Sequence, residues 1–257
     1  MLHVELTEHF TGFRIHGDYH ALDALYDTVW ELADVGNMDV APRPEEPMRT
    51  RLLALCYDLR HAYQGDRGVY ACASGMDAER ASWLGIEYAP RNQIFSVEVL
   101  YPEAMYELLV LDWLVEERRV KLVGGRARLQ DERSAYKAEY DRLIAHARYY
   151  QGLVMDALRP HMTPQMHTRI LRQAANPYSD VSAMYTQWVD VINADWGDMT
   201  PKKRAKGFST VVRDLADYTM HDQYRKIKAD IDAFAREKGA LVDAVRLQLD
   251  VPDEYEW

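Results

Sequence analysis

Leu2-His3-Val4-Glu5-Leu6 and Phe13-Arg14-Ile15-His16, with Thr11-Gly12 between them, decide the fold class of this chain. In both stretches apolar and polar residues alternate with the two-residue period of a half-buried strand, and Thr11-Gly12 reads as the turn of a hairpin. From about His20 the period changes. Leu22, Leu25, Tyr26, Val29 and Leu32 recur three and four apart, which predicts an amphipathic helix. Three prolines within six positions predict a loop over Ala41–Pro47. A second helix over Leu52–Gly65, strands around Val69–Ala73 and Ile94–Leu100, and an apolar helix opened by Pro102 and reaching about Arg118 complete the first half. The expectation is an α+β fold: a small N-terminal sheet, antiparallel or mixed, with helices packed on one face.

Beyond Gly124-Gly125 the strand signal stops. The chain therefore reads as two units, an α+β domain over 1–123 and an all-helical domain over 124–257. In the second, Leu129, Tyr136, Tyr140, Leu143, Ala147, Tyr150 and Val154 follow a seven-residue repeat and predict one helix of roughly 30 residues. Met220, Tyr224, Ile227, Ile231, Phe234, Leu241 and Val245 repeat the pattern, with Gly239 weakening it locally. Two such helices suggest an antiparallel, coiled-coil-like pair in a helical bundle, and the same seams could serve a homodimer or a protein partner.

Charge divides the chain at nearly the same place. Residues 1–120 hold 10 Arg, no Lys and 21 Asp+Glu, a net −11, whereas the remainder is close to neutral within an overall −10. An acidic first half argues against a nucleic-acid backbone as partner, because phosphate affinity comes from Lys and Arg. The longest apolar run, Leu108–Val115, is interrupted by Asp112 and is far shorter than the ~20 residues of a membrane span. With two cysteines in 257 residues and an N-terminus unlike a signal peptide, a reducing cytoplasm is the expected setting.

The candidate site lies on the second helix. Leu52, Leu55, Cys56, Leu59 and Tyr63 form one stripe, while Tyr57, Asp58, Arg60, His61 and Gln64 lie off it. Polar groups on an apolar helix are costly when buried without partners. Asp112, a carboxylate within the later apolar run, is the partner expected for Arg60 or His61. This cluster of Asp58, Arg60, His61, Gln64 and Asp112 reads either as an internal ion-pair network or as an anion-binding or acid/base site. His16 and His20 straddle a strand end and are expected as hydrated surface histidines. Neither they nor His161 and His167 show the spacing of a metal site. No phosphate loop, dinucleotide fingerprint or nucleophile elbow is present, so no catalytic residue, metal or other cofactor is assigned.

Phe13-Arg14-Ile15-His16-Gly17-Asp18-Tyr19, together with Leu55-Cys56-Tyr57-Asp58-Leu59-Arg60-His61-Ala62-Tyr63-Gln64-Gly65, resembles a family of bacterial proteins known as a domain of unknown function. The resemblance covers roughly the first 120 residues. It implies a bacterial, cytoplasmic origin and transfers no activity. The functional expectation is a non-enzymatic interaction or assembly protein acting through the helical half; the alternative is an enzyme or small-anion sensor centred on Arg60 and His61.

Overall fold

The structure is a computed structural model that describes residues 1–35, 45–129, 138–174, 183–249, 252 and 255–257. The hairpin forms as its alternation requires. Strands β1 (His3–Leu6) and β2 (Gly12–Gly17) pair antiparallel, with His3 opposite His16 and Glu5 opposite Arg14. Helix α1 (Tyr19–Ala33) follows, its N-terminus capped by Asp18, whose Oδ1 accepts from the Ala21 amide at 2.9 Å. Helix α2 (Glu46–Gln64) starts before Pro47, inside the stretch expected as loop. Proline is tolerated there because the first helical turn has no intrahelical partner for its missing N–H. Gly65 ends α2 in the left-handed region at φ 92°, a conformation that suits glycine.

Strand β3 (Gly68–Ala73), the short helix α3 (Ala78–Leu84), strand β4 (Arg91–Leu100) and helix α4 (Tyr101–Val123) complete the first half. The fold is α+β, with one four-stranded antiparallel sheet in the order β1-β2-β4-β3. Phe13, Ile15, Val97 and Val99 turn inward against α1, α2 and α4 and are buried. Arg14, His16, Ser96 and Glu98 alternate with them and take the outer face.

The second half contains α5 (Arg126–Leu129), α6 (Arg142–Leu158), α7 (Pro164–Ala174), α8 (Ala183–Gly197), α9 (Pro201–Ala216) and α10 (Asp222–Lys238). The single long helix expected over 129–154 does not form; residues 130–137 lie outside the described residues. Asp141 stops the helix from extending toward its N-terminus by acting as the N-cap of α6, its Oδ1 accepting from the Leu143 and Ile144 amides at 3.1 Å. The second heptad run also breaks, because Gly239 caps α10 at φ 62° and leaves Leu241 exposed. The two helices are not packed as a seam: α6 lies on α1, α4 and β1, whereas Tyr224 of α10 meets Trp188 of α8.

Gly124 is a helix cap and not a break in the packing. One hydrophobic cluster runs from Leu2 to Ile231 and takes in both halves. The Tyr101 hydroxyl donates to the Phe208 carbonyl at 3.0 Å, and the Trp196 indole N–H donates to the Thr11 carbonyl at 2.8 Å. The boundary suggested by charge and strand content therefore crosses a shared core. Among the described residues, no helix is long and apolar enough to cross a membrane.

Buried charge serves this packing. Arg49 is 0 % exposed; it donates to the Ala33 carbonyl at 3.0 Å and to Glu117 at 2.6 Å, with its guanidinium over the Trp113 ring. Arg51 joins three helices through a bidentate contact to Glu103 of α4 and contacts to Asp190 and the Thr186 carbonyl of α8. The buried carboxylate of α4 is Glu107, 2 % exposed, not Asp112. Burial first, and then the charge of Glu103, push its carboxyl well above the usual carboxylate range, while the Tyr150 hydroxyl donates to it at 3.3 Å.

Candidate functional site

The polar face of α2 does not assemble into the expected site. Asp58 pairs with Arg67 at 2.8 Å, His61 pairs with Asp66 at 2.8 Å, and the exposed Arg60 lies over the Tyr57 ring. Gln64 is exposed at the end of the helix. Asp112 is an ion-pair partner of Arg148 on α6, and not of Arg60 or His61. The reason is local: the turn after α2 supplies Asp66 and Arg67 within nine residues, so the polar side chains find partners at the surface. Isolated pairs of this kind contribute little.

The outer face of the sheet brings groups together from much further apart. β1 supplies His3 and Glu5, β2 supplies Arg14 and His16, and β3 supplies Tyr70. His16 is 8 % exposed, not the hydrated surface residue expected from its sequence neighbourhood. Its Nε2 lies 3.0 Å from Glu5 Oε1, and its Nδ1 lies 2.7 Å from the Tyr70 hydroxyl. Arg14 extends the chain, donating from Nε to Glu98 at 2.7 Å and lying 3.7 Å from Glu5 through Nη1.

Strand order explains how Tyr70 arrives. β4 separates β3 from β2, so a side chain on β3 must cross two strand spacings, about 9–10 Å, to approach His16. Tyrosine is long enough if the intervening row is low. That row is Ser96 and Gly68, paired with each other in the register. A Cβ on Gly68 would come within 2.2 Å of Ser96 Oγ, so a larger residue there would have to turn the serine hydroxyl aside.

Hydrogen-bond inventory fixes the direction of the relay. An ionised Glu5 can only accept, so His16 donates from Nε2; a neutral ring then leaves Nδ1 as an acceptor, and the Tyr70 hydroxyl donates to it. Burial lowers the His16 imidazole below its ordinary value of 6.5, with Glu5 opposing, so the neutral ring is the resting form at pH 7. The Tyr70 phenol is pushed up, by burial and then by the charge of Glu5, so it rests protonated. The arrangement can receive a proton at the phenolic oxygen while the phenol's own proton passes to His16 Nδ1. The resulting imidazolium would face the Glu5 carboxylate.

This relay lies beside an opening. β2 ends at Gly17 opposite Phe95, but β4 continues to Arg91, so Arg91–Ile94 have β3 on one side only. The notch is a cleft of about 740 Å³ lined by Ile94, Phe95, Tyr19 and Tyr70, by His3, His16, His20 and Arg91, and by Asp18, whose carboxylate is paired with the Met1 ammonium. Arg91 is exposed and has no ion pair among the described residues. Cys72 also lines the cleft, half-buried. Among the described residues no group of three or more His, Cys, Asp or Glu is placed to hold a metal ion.

A family model described as a domain of unknown function (DUF6904) matches residues 2–257. The chain belongs to this family. The match includes the helical half as well as the first 120 residues, which agrees with a core shared by both. No curated protein and no solved structure matches the chain.

Of the residues in this cleft, the sequence drew attention to His16 and His20, weighed as a metal pair and read instead as hydrated surface histidines. The alternation in the hairpin already placed His3, Glu5, Arg14 and His16 on one face, which is the signal that could have found half of the site. Tyr70 and Arg91 carried no such signal.

Proposed function

We propose that the chain binds a small anion in the cleft at the sheet corner and that Glu5, His16 and Tyr70 handle a proton on it. The carrying observation is the hydrogen-bonded series Glu5–His16–Tyr70 opening onto a cleft that also holds Arg91, unpaired among the described residues. Arg91 supplies a guanidinium suited to a carboxylate or phosphate. His16 is neutral at rest and able to accept charge, and the apolar walls accommodate a carbon skeleton. This reading moves the anion site expected at Arg60 and His61 to groups carried by all four strands.

Titration calorimetry with inorganic phosphate, acetate and benzoate tests the reading. Saturable binding of at least one anion, weakened tenfold or more by Arg91→Gln and by His16→Gln, is the expected result. Absence of binding by all three, or binding indifferent to both substitutions, would contradict it.

One observation favours self-association as a second reading. The β1 edge of the sheet packs against α6, whereas β3 is an exposed edge whose residues Gly68–Ala73 carry no charge and no proline. Such an edge lacks the usual protection against strand pairing, and identical edges can pair about a two-fold axis. The proposed partner is a second copy of this chain. Light scattering should give a mass that rises with concentration and returns to the monomer value in Val69→Lys; a monomer throughout would remove this reading.

A further inference from the structure

The notch beside the proton relay is also a gap in the backbone ladder, and two hydrogen bonds fix which main-chain groups line it. The Ser74 amide donates to the Pro90 carbonyl at 3.0 Å, one step beyond the β3–β4 register. The Tyr101 amide donates to the Thr11 carbonyl at 3.0 Å, one step beyond the β2–β4 register. In an antiparallel sheet each residue directs its N–H and C=O to the same neighbour, and successive residues alternate. Even-numbered residues of β4 therefore turn to β3, and odd-numbered ones turn to β2. Because β2 ends opposite Phe95, the N–H and C=O of Gln93 and Arg91 point into the cleft. Both residues are exposed, and among the described residues no loop backbone comes to pair with them.

Two donors and two acceptors in line on a strand edge are a template for an added strand. The position is closed at one end, where the chain leaves β2 at Asp18 and turns into α1. The length facing Arg91–Gln93 holds about three extended residues at roughly 3.3–3.6 Å each. The Arg91 guanidinium, without an ion pair among the described residues, stands at the open end. At the closed end the Asp18 carboxylate is already held by the Met1 ammonium, so it offers no free charge to a ligand.

We propose that this gap takes a short peptide with a free C-terminal carboxylate, added as a strand antiparallel to Arg91–Gln93. That direction continues the line of β2 and brings the peptide's carboxylate to Arg91. A parallel strand would set the carboxylate beside Asp18 instead. The first residue lies opposite Gln93 and the third opposite Arg91. The carboxylate accepts from the Arg91 amide and meets its guanidinium, while the amide of the third residue donates to the Arg91 carbonyl. The amide of the middle residue turns away from β4. The first side chain shares the face of the half-buried Phe95 and packs against it diagonally. The proposal rests on the reading of Arg91 as the anion-holding group of the cleft, and adds the backbone pairing that selects a peptide over a simple carboxylate.

Calorimetry of the full chain with the tripeptide valyl-threonyl-valine tests it. The tripeptide should bind at least tenfold tighter than acetate, which has the carboxylate and none of the backbone. Methylating the amide nitrogen of its third residue, or amidating its C-terminus, should weaken binding tenfold or more. Methylating the amide nitrogen of the second residue should change it by less than about threefold, since that group faces away. Gln93→Pro removes one donor from the gap without touching the ladder to β3; it should weaken the tripeptide tenfold and leave benzoate binding unchanged. A tripeptide no tighter than acetate, or equal affinities for the two N-methylated isomers, overturns the proposal. Benzoate binding that still depends on Arg91 would in that case leave the anion reading standing, and its loss would remove both.

Discussion

Asp58, Arg60 and His61 on α2 and Glu5, His16 and Tyr70 on the sheet are similar sets of groups in two different settings. On α2 each side chain is satisfied locally: Asp58 by Arg67, His61 by Asp66, and Arg60 by the face of Tyr57. On the sheet, residues separated by 11 and 54 positions meet within hydrogen-bond distance beside a cleft. Density of polar residues along the sequence marked the first set. Convergence through strand pairing made the second. A cluster that is contiguous in sequence tends to satisfy itself, whereas groups brought together by the fold keep capacity for a ligand.

Substitutions can break or sharpen this contrast. The largest effect is expected from His16→Ala, which leaves the Tyr70 hydroxyl and Glu5 without their shared partner. It should abolish anion binding in the cleft and cost about 1–3 kcal/mol in urea unfolding. Stability should also carry the signature of His16 against pH. Its folded pKa lies below 6.5, so between that lowered value and 6.5 the unfolded chain binds more protons. The contribution is fully present above 6.5 and is lost as pH falls through the folded value. In His16→Gln the slope of stability between pH 5 and 6.5 should be shallower.

Tyr70→Phe should cost about 1 kcal/mol or less, since it removes one hydrogen bond from a half-exposed ring. It should nevertheless alter the His16 ring nitrogen resonances, a readout that a merely packed tyrosine would not move. Asp112→Asn, which removes the surface pair with Arg148, should change stability by no more than about 1 kcal/mol. Smallest of all, Arg60→Ala and His61→Ala should each stay within about 0.5 kcal/mol and leave anion binding untouched. A loss of binding in either would restore the α2 reading and contradict the contrast.

The α+β class was legible because Val4, Phe13, Ile15, Val97 and Val99 obey a two-residue period and the helical stripe Leu52, Leu55, Cys56 and Leu59 obeys its own. The hairpin even determined which face His16 would take. The position of Tyr70 was not legible, because it depends on β3 docking beyond β4, and no local pattern encodes the order β1-β2-β4-β3. Asp112 and Glu107 show a second limit. Both are carboxylates in the same apolar helix, and only packing decides that Glu107 faces the core while Asp112 reaches Arg148 at its rim. The heptads misled for a related reason: a capping aspartate at 141 and a glycine at 239 override periodicity over long spans.

Nitrogen-detected NMR of the His16 imidazole across pH 4–8 tests the central claim most directly. The account predicts a neutral ring at pH 7 protonated on Nε2, an unprotonated Nδ1 whose shift changes in Tyr70→Phe, and a midpoint below 6.5. A ring that titrates at or above 6.5 and does not respond to Tyr70→Phe would contradict it.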